Sequence, residues 1–122
     1  RYFQRLPDSS LVLRTGAAAD PFDGIDVGSG ASPFAVDWDG DGLLDLLLGD
    51  KDDGRVRYFQ RLPDSSLVLR TGAAADPFDG IRVGSAAHPF AVDWDGDGLL
   101  DLLVGDYDGR VRYFQRLPDS SL

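Results

Sequence analysis

The residues most able to do chemistry are the aspartates of DWDGDGLLD, found at 37–45 and again, letter for letter, at 93–101. Each copy has Asp at its positions 1, 3, 5 and 9 and Gly at position 6. Four carboxylates this close repel one another unless a cation sits among them. Calcium suits them, as a hard cation that takes about 6–8 oxygens from carboxylates, carbonyls and water. Magnesium suits them less, because it keeps its waters. Gly at position 6 lets the loop bend sharply around an ion, and position 7 (Leu43, Leu99) offers its backbone carbonyl. The first half matches an EF-hand loop, but position 12 is Leu48 or Val104 rather than Glu, and strand-like segments flank it. The competing reading is an acidic turn without metal.

Other chemistry finds little material. The chain has no Cys, no Glu and one His, and no G-x-S-x-G elbow. Paired Asp can hydrolyse glycosides, but these are committed to the ion. An enzyme is therefore not expected. All 21 acidic residues are Asp and the net charge is −9, which argues against a nucleic-acid partner. No apolar run approaches the roughly 20 residues that span a bilayer, so membrane insertion is not expected. A strand-like segment opens at residue 1, so the expectation is a chain without a signal peptide.

The elements that must position the aspartates are themselves repeated. Residues 1–56 align with 57–111 with five substitutions and one extra Asp, and a third copy begins at Arg112 and runs to Leu122. Near-identity of this degree means a very recent duplication or a deliberately built repeat. Each period of 55–56 residues reads as four short strands: PFAVDW (33–38, 89–94), LLDLLLGD or LLDLLVGD (43–50, 99–106), RVRYFQRL (55–62, 110–117) and SLVLRT (10–15, 66–71). Asp108-Gly109 marks a tight hairpin between the second and third, one residue longer in the first copy. Pro63-Asp64-Ser65-Ser66 suits a type I turn. The acidic loop then joins strands one and two.

In LLDLLLG both alternating faces are largely Leu, so this strand should be covered on both sides. RVRYFQRL alternates with Arg57 and Arg61, and reads as a wetter, outer strand whose arginines are solvated and paired with Asp, as are Arg112 and Arg116. Buried inner and wetter outer strands describe a propeller blade. The fold class expected is all-β, with β-propeller blades of four antiparallel strands, about two per chain. A β-sandwich is the alternative, but it does not explain the period.

PFDGIDVGSGASPFAVDWDGDGLLDLLLGDKDDGRVRYFQR resembles an FG-GAP/VCBS repeat, the blade of calcium-binding β-propellers in integrin α subunits, bacterial surface and secreted proteins, and some lectins. The letters FG-GAP are not literally present, so the lectin-like and VCBS-like subgroups fit better than the integrin-like one. Carried over by position, the resemblance implies calcium ligands at Asp37, Asp39, Asp41, the Leu43 carbonyl and Asp45, and at Asp93, Asp95, Asp97, the Leu99 carbonyl and Asp101. It also implies an extracellular setting.

Propellers have about four to eight blades, and each repeat buries its faces only against the next. The expectation is therefore a homo-oligomer that closes a ring: a trimer with six blades first, a tetramer or dimer otherwise. The organisation expected is an outer half-blade plus linker at 1–32, a complete blade plus linker at 33–88, and inner strands plus an overhang at 89–122. The half-blade of one chain would complete the last blade of the next, leaving one RYFQRL redundant.

Four residues are candidates for a ligand. Trp38 and Trp94, at position 2 of the loops, could stack on a sugar or pack on a neighbouring blade. Tyr107 replaces Lys51 in a hairpin tip, and His88, otherwise a solvated loop residue, replaces Ser32. The function expected is non-enzymatic and lectin-like, binding glycans between blades. The alternative is a designed or rebuilt self-assembling scaffold with no ligand but calcium.

Overall fold

A computed structural model describes residues 1–122. The chain is all-β, with nine antiparallel strands in three sheets. β1 (Tyr2–Arg5) and β2 (Leu11–Arg14) form a two-stranded sheet. β3 (Ser32–Val36), β4 (Asp45–Gly49), β5 (Val56–Arg61) and β6 (Leu67–Arg70) form a four-stranded meander. β7 (His88–Val92), β8 (Asp101–Gly105) and β9 (Val111–Phe114) form a third sheet that repeats the first three strands of the second.

Local sequence accounts for the strand ends. The expected first and second strands are shortened to Val36 and Asp45 because residues 37–44 are used by the acidic loop. His88 opens β7 and does not lie in a loop, since Pro89 is paired with Val104 in the ladder. At the Pro63-Asp64 turn, Ser65 N–H donates to the Leu62 carbonyl at 2.8 Å and Ser65 takes φ 72°. Asp64 fixes that turn by accepting from Ser66 N–H at 2.9 Å and Ser66 Oγ at 2.6 Å. These bonds hold the Asp64 carboxyl below its ordinary pKa, the Ser66 hydroxyl contributing most.

All five residues of β4 are buried, as two apolar faces require. Leu46 and Leu48 join Phe59, with Phe22, Ile25 and Val27 laid over them from the linker after β2. Leu47 faces the other way, into a core of Val56, Tyr58, Phe78, Leu102 and Val104. Each fully buried side chain of this size contributes about 1.5–3 kcal/mol. Adjacent sheets thus share a core, with the linker Phe wedged between them.

β5 differs from the sequence expectation. It is third of four strands, with β6 outside it, and Val56, Tyr58 and Phe59 are buried. The wetter outer strand is β6. Arg57 is paired as expected, 3.2 Å from buried Asp50, and Arg112 lies 3.7 Å from Asp106. Arg116 is half-buried and pairs with no Asp: its guanidinium lies 4.5 Å from the centre of the Trp38 ring, and Nη1 donates to the Trp38 carbonyl at 3.0 Å.

The second and third sheets meet at their first strands. Phe34 and Phe90 rings stand 4.6 Å apart, and His88 Nδ1 is 3.0 Å from Ser32 Oγ. The linker before β7 bonds back to the β4–β5 hairpin, through Ala87 N–H to Asp50 O at 3.0 Å and Val83 N–H to Gly54 O at 3.0 Å. Gly49 makes room for this approach, since a Cβ there would lie 2.7 Å from the Ala87 carbonyl carbon.

Candidate metal centre

Each acidic loop is wound by its own amides. Asp37 Oδ1 accepts from Gly40 N–H at 2.9 Å, and Oδ2 from Gly42 N–H at 2.8 Å. Asp93 repeats this with Gly96 and Gly98, at 2.8 and 2.9 Å. Gly42, at position 6, takes φ 88°, a left-handed conformation that a side chain would disfavour. The winding brings the carboxylates of Asp37, Asp39 and Asp45 within 4.8 Å of one another, and those of Asp93, Asp95 and Asp101 likewise. Asp41 lies outside this triad and accepts from Leu43 N–H at 2.9 Å, with Asp97 and Leu99 the same.

Asp45 and Asp101 are the buried floor of each site, 1% and 0% exposed. Asp45 Oδ1 accepts from Arg61 N–H at 2.9 Å, and Oδ2 from Trp38 N–H at 3.0 Å and the Tyr58 hydroxyl at 3.3 Å. Asp101 has the matching set in Arg116, Trp94 and Tyr113, at 2.8, 3.0 and 3.3 Å. A wall follows from β5 and the residue after β9: Gln60 Nε2 donates to Asp39 Oδ2 at 2.7 Å, and Gln115 Nε2 to Asp95 Oδ2 at 2.7 Å.

Burial, reinforced by the Asp39 charge, pushes the Asp45 carboxyl above its ordinary pKa. Burial acts the same way on Asp101, but hydrogen bonds from the Arg116 and Trp94 amides outweigh it and hold that carboxyl low. Burial and the neighbouring Asp45 charge push the Tyr58 phenol up, so it remains a donor. No Arg or Lys forms a salt bridge with any of the six triad carboxylates. Three hard oxygen donors converging without a cationic partner fit calcium by donor chemistry. Asp37, Asp39 and Asp45 would hold one ion and Asp93, Asp95 and Asp101 a second; the ion would cancel the repulsion and pin the loop to the strand behind it.

The four ligand candidates fall apart in space. Trp38 is 3% exposed, its ring 4.7 Å from Phe78 on one side and under Arg116 on another, while Trp94 is 67% exposed. Tyr107 is exposed at a hairpin tip, its N–H donating to Ser85 O at 3.2 Å. His88 sits on β7 beside Ser32. Sequence reasoning missed Gln60, Gln115, Tyr58 and Tyr113. Their signal was the return of YFQ one strand and one hairpin after the acidic loop in both copies, a residue nearer in the second, which the strand register converts into contact.

Between adjacent sheets lie open, polar clefts. One of about 530 Å³ is bordered by Tyr58, Gln60, Asp76, Arg116 and Ser121. One of about 600 Å³ is bordered by the repeat equivalents Tyr2, Gln4, Asp20, Arg61 and Ser66.

Comparison with protein families matches residues 37–104, more than half the chain, to the FG-GAP-like repeat. Comparisons with curated proteins and with solved structures gave no match.

Proposed function

This chain belongs to the FG-GAP-like repeat family, a β-propeller-type module, and from that premise we propose that it is a non-enzymatic, calcium-stabilised propeller module acting outside the cell. The observation that carries the reading is the acidic triad that recurs in two sheets with no cationic partner. Calcium supplies charge neutralisation there. Asp45 and Asp101 orient the loop against β5 and β9, and Gln60 and Gln115 fix the outer carboxylate. Nothing in the arrangement calls for proton transfer or a nucleophile. No helix is long and apolar enough to cross a membrane. Calorimetric titration with calcium tests the reading: binding at about two ions per chain supports it, and absence of heat at millimolar calcium removes it.

The ligand class is glycan. The two equivalent clefts support this, because repeated polar pockets suit weak, multivalent sugar binding. Chains assembled into a ring, a trimer of six blades first, would multiply them. A glycan array with calcium present checks the ligand, and a blank across common hexoses and N-acetyl sugars leaves a self-assembling scaffold with calcium as its one ligand.

A further inference from the structure

The repeat allows one copy of a contact to be compared with its unmade twin. Within the chain, Trp38 is a knob. It packs on Phe78, in a core shared with Tyr58, Leu102 and, at its margin, Leu122, under the Arg116 guanidinium. One repeat earlier the same socket exists without its tryptophan. A cavity of about 200 Å³ is lined by Tyr2, Phe22, Leu46, Arg61 and Leu67, the repeat equivalents of those five residues. Leu44 borders it and is 54% exposed, an unusual state for a Leu beside an apolar cavity. At the other end of the stack, Trp94 is a knob without a socket.

The surrounding backbone repeats the match. Gly49 is crowded by Ala87 of the linker into the next sheet, whereas its equivalent Gly105 has nothing closer than His88 Cβ at 3.8 Å. Gly105 thus keeps the clearance that Gly49 uses. Phe90, equivalent to Phe34, is likewise exposed.

We propose that Trp94 docks into the Phe22–Leu46 cavity of a second copy of this chain, forming between chains the contact that Trp38 and Phe78 form within one. The proposal rests on the ring reading and specifies its interface. Knob and socket lie on different faces, so the contact is head-to-tail, the kind that closes rings when the rotation allows. Tyr2 lines the socket where the incoming chain would bring Tyr113, so β1 of the receiving copy replaces β9 beside β8. Both segments read RYFQRL, and Tyr2 and Arg5 can then serve Asp101 as Tyr113 and Arg116 do.

Light scattering after gel filtration of the full chain, W94A and G105A tests this, with circular dichroism to confirm folding. Trp94 is exposed and a Cβ at Gly105 would meet nothing closer than 3.8 Å in the single chain, so neither variant has a reason to misfold. The wild type should run at a multiple of 13.2 kDa. Both variants should dissociate, W94A raising the dissociation constant at least about thirtyfold, as expected for a central interface tryptophan. W94A that assembles like the wild type overturns the docking and leaves the ring standing; should W94A misfold, G105A decides in the same way. A wild type at 13.2 kDa overturns both the docking and the ring.

Discussion

The rings of Trp38 and Phe78 stand 4.7 Å apart at 57°, one carried by an acidic loop and the other by the linker into the next sheet. The contact ties the candidate ion site of one blade to the packing of its neighbour. Phe78 also meets Tyr58 at 5.8 Å, edge to face, and Tyr58 is the residue whose hydroxyl reaches Asp45.

Phe78→Ala should therefore destabilise the chain by about 3–5 kcal/mol, the usual cost of emptying a buried aromatic site. Phe22→Ala, at the equivalent that is half-buried in the single chain, should cost clearly less where the chain is monomeric and about as much where a second copy fills its socket. Urea unfolding of the two variants measures the difference. A cost of less than about 1 kcal/mol for Phe78→Ala would mean that Phe78 is not the wedge between blades.

Gly49→Ala should be destabilising by about 1–3 kcal/mol through overpacking, because its Cβ would collide with the Ala87 carbonyl. Gly49 is not among the glycines with positive φ, so backbone strain is not the cause. Thermal unfolding monitored at the aromatic band would report the loss. An unchanged midpoint would show that the two sheets do not approach as closely as Gly49 and Ala87 do.

In the metal-free chain the two floor aspartates should respond to acid in opposite ways. The Asp45 pKa is raised above 3.8 in the folded chain, so folding takes up a proton there, and its penalty is relieved as pH falls through the folded value. The Asp101 pKa is lowered, so its contribution is present above 3.8 and is lost as pH falls through the folded value. In chelator, Asp45→Asn should remove a rise in stability on acidification and Asp101→Asn should remove a fall. Denaturant midpoints across mildly to strongly acidic pH read both signs.

Much of this was legible in the sequence. LLDLLLG announced a strand covered on both faces, the Pro63-Asp64-Ser65-Ser66 run announced its turn, and the period announced stacked sheets. The acidic loop was legible because its spacing is local: the amides that wind Asp37 are those of Gly40, Asp41 and Gly42. What could not be read is what register decides. Gln60 meets Asp39 across 21 residues, and Arg116 meets Trp38 across 78. β5 misled because its exposed look ignored the strand that follows it: pairing with β6 and the Phe78 wedge bury a segment whose arginines suggest water. The two tryptophans, identical in local sequence, separate into buried and exposed only through what stacks on each.

The central claim is that the two triads are calcium sites that hold the fold. Thermal unfolding in excess calcium, in magnesium and in chelator tests it most directly. A ligand that binds only the folded chain adds about 2.7 kcal/mol per site at a hundredfold excess over its dissociation constant. The account predicts a clear upward shift of the midpoint in calcium, little in magnesium, and a calcium shift reduced by Asp39→Asn and nearly abolished when Asp95→Asn is added. A melting curve that is the same in calcium and in chelator would contradict it.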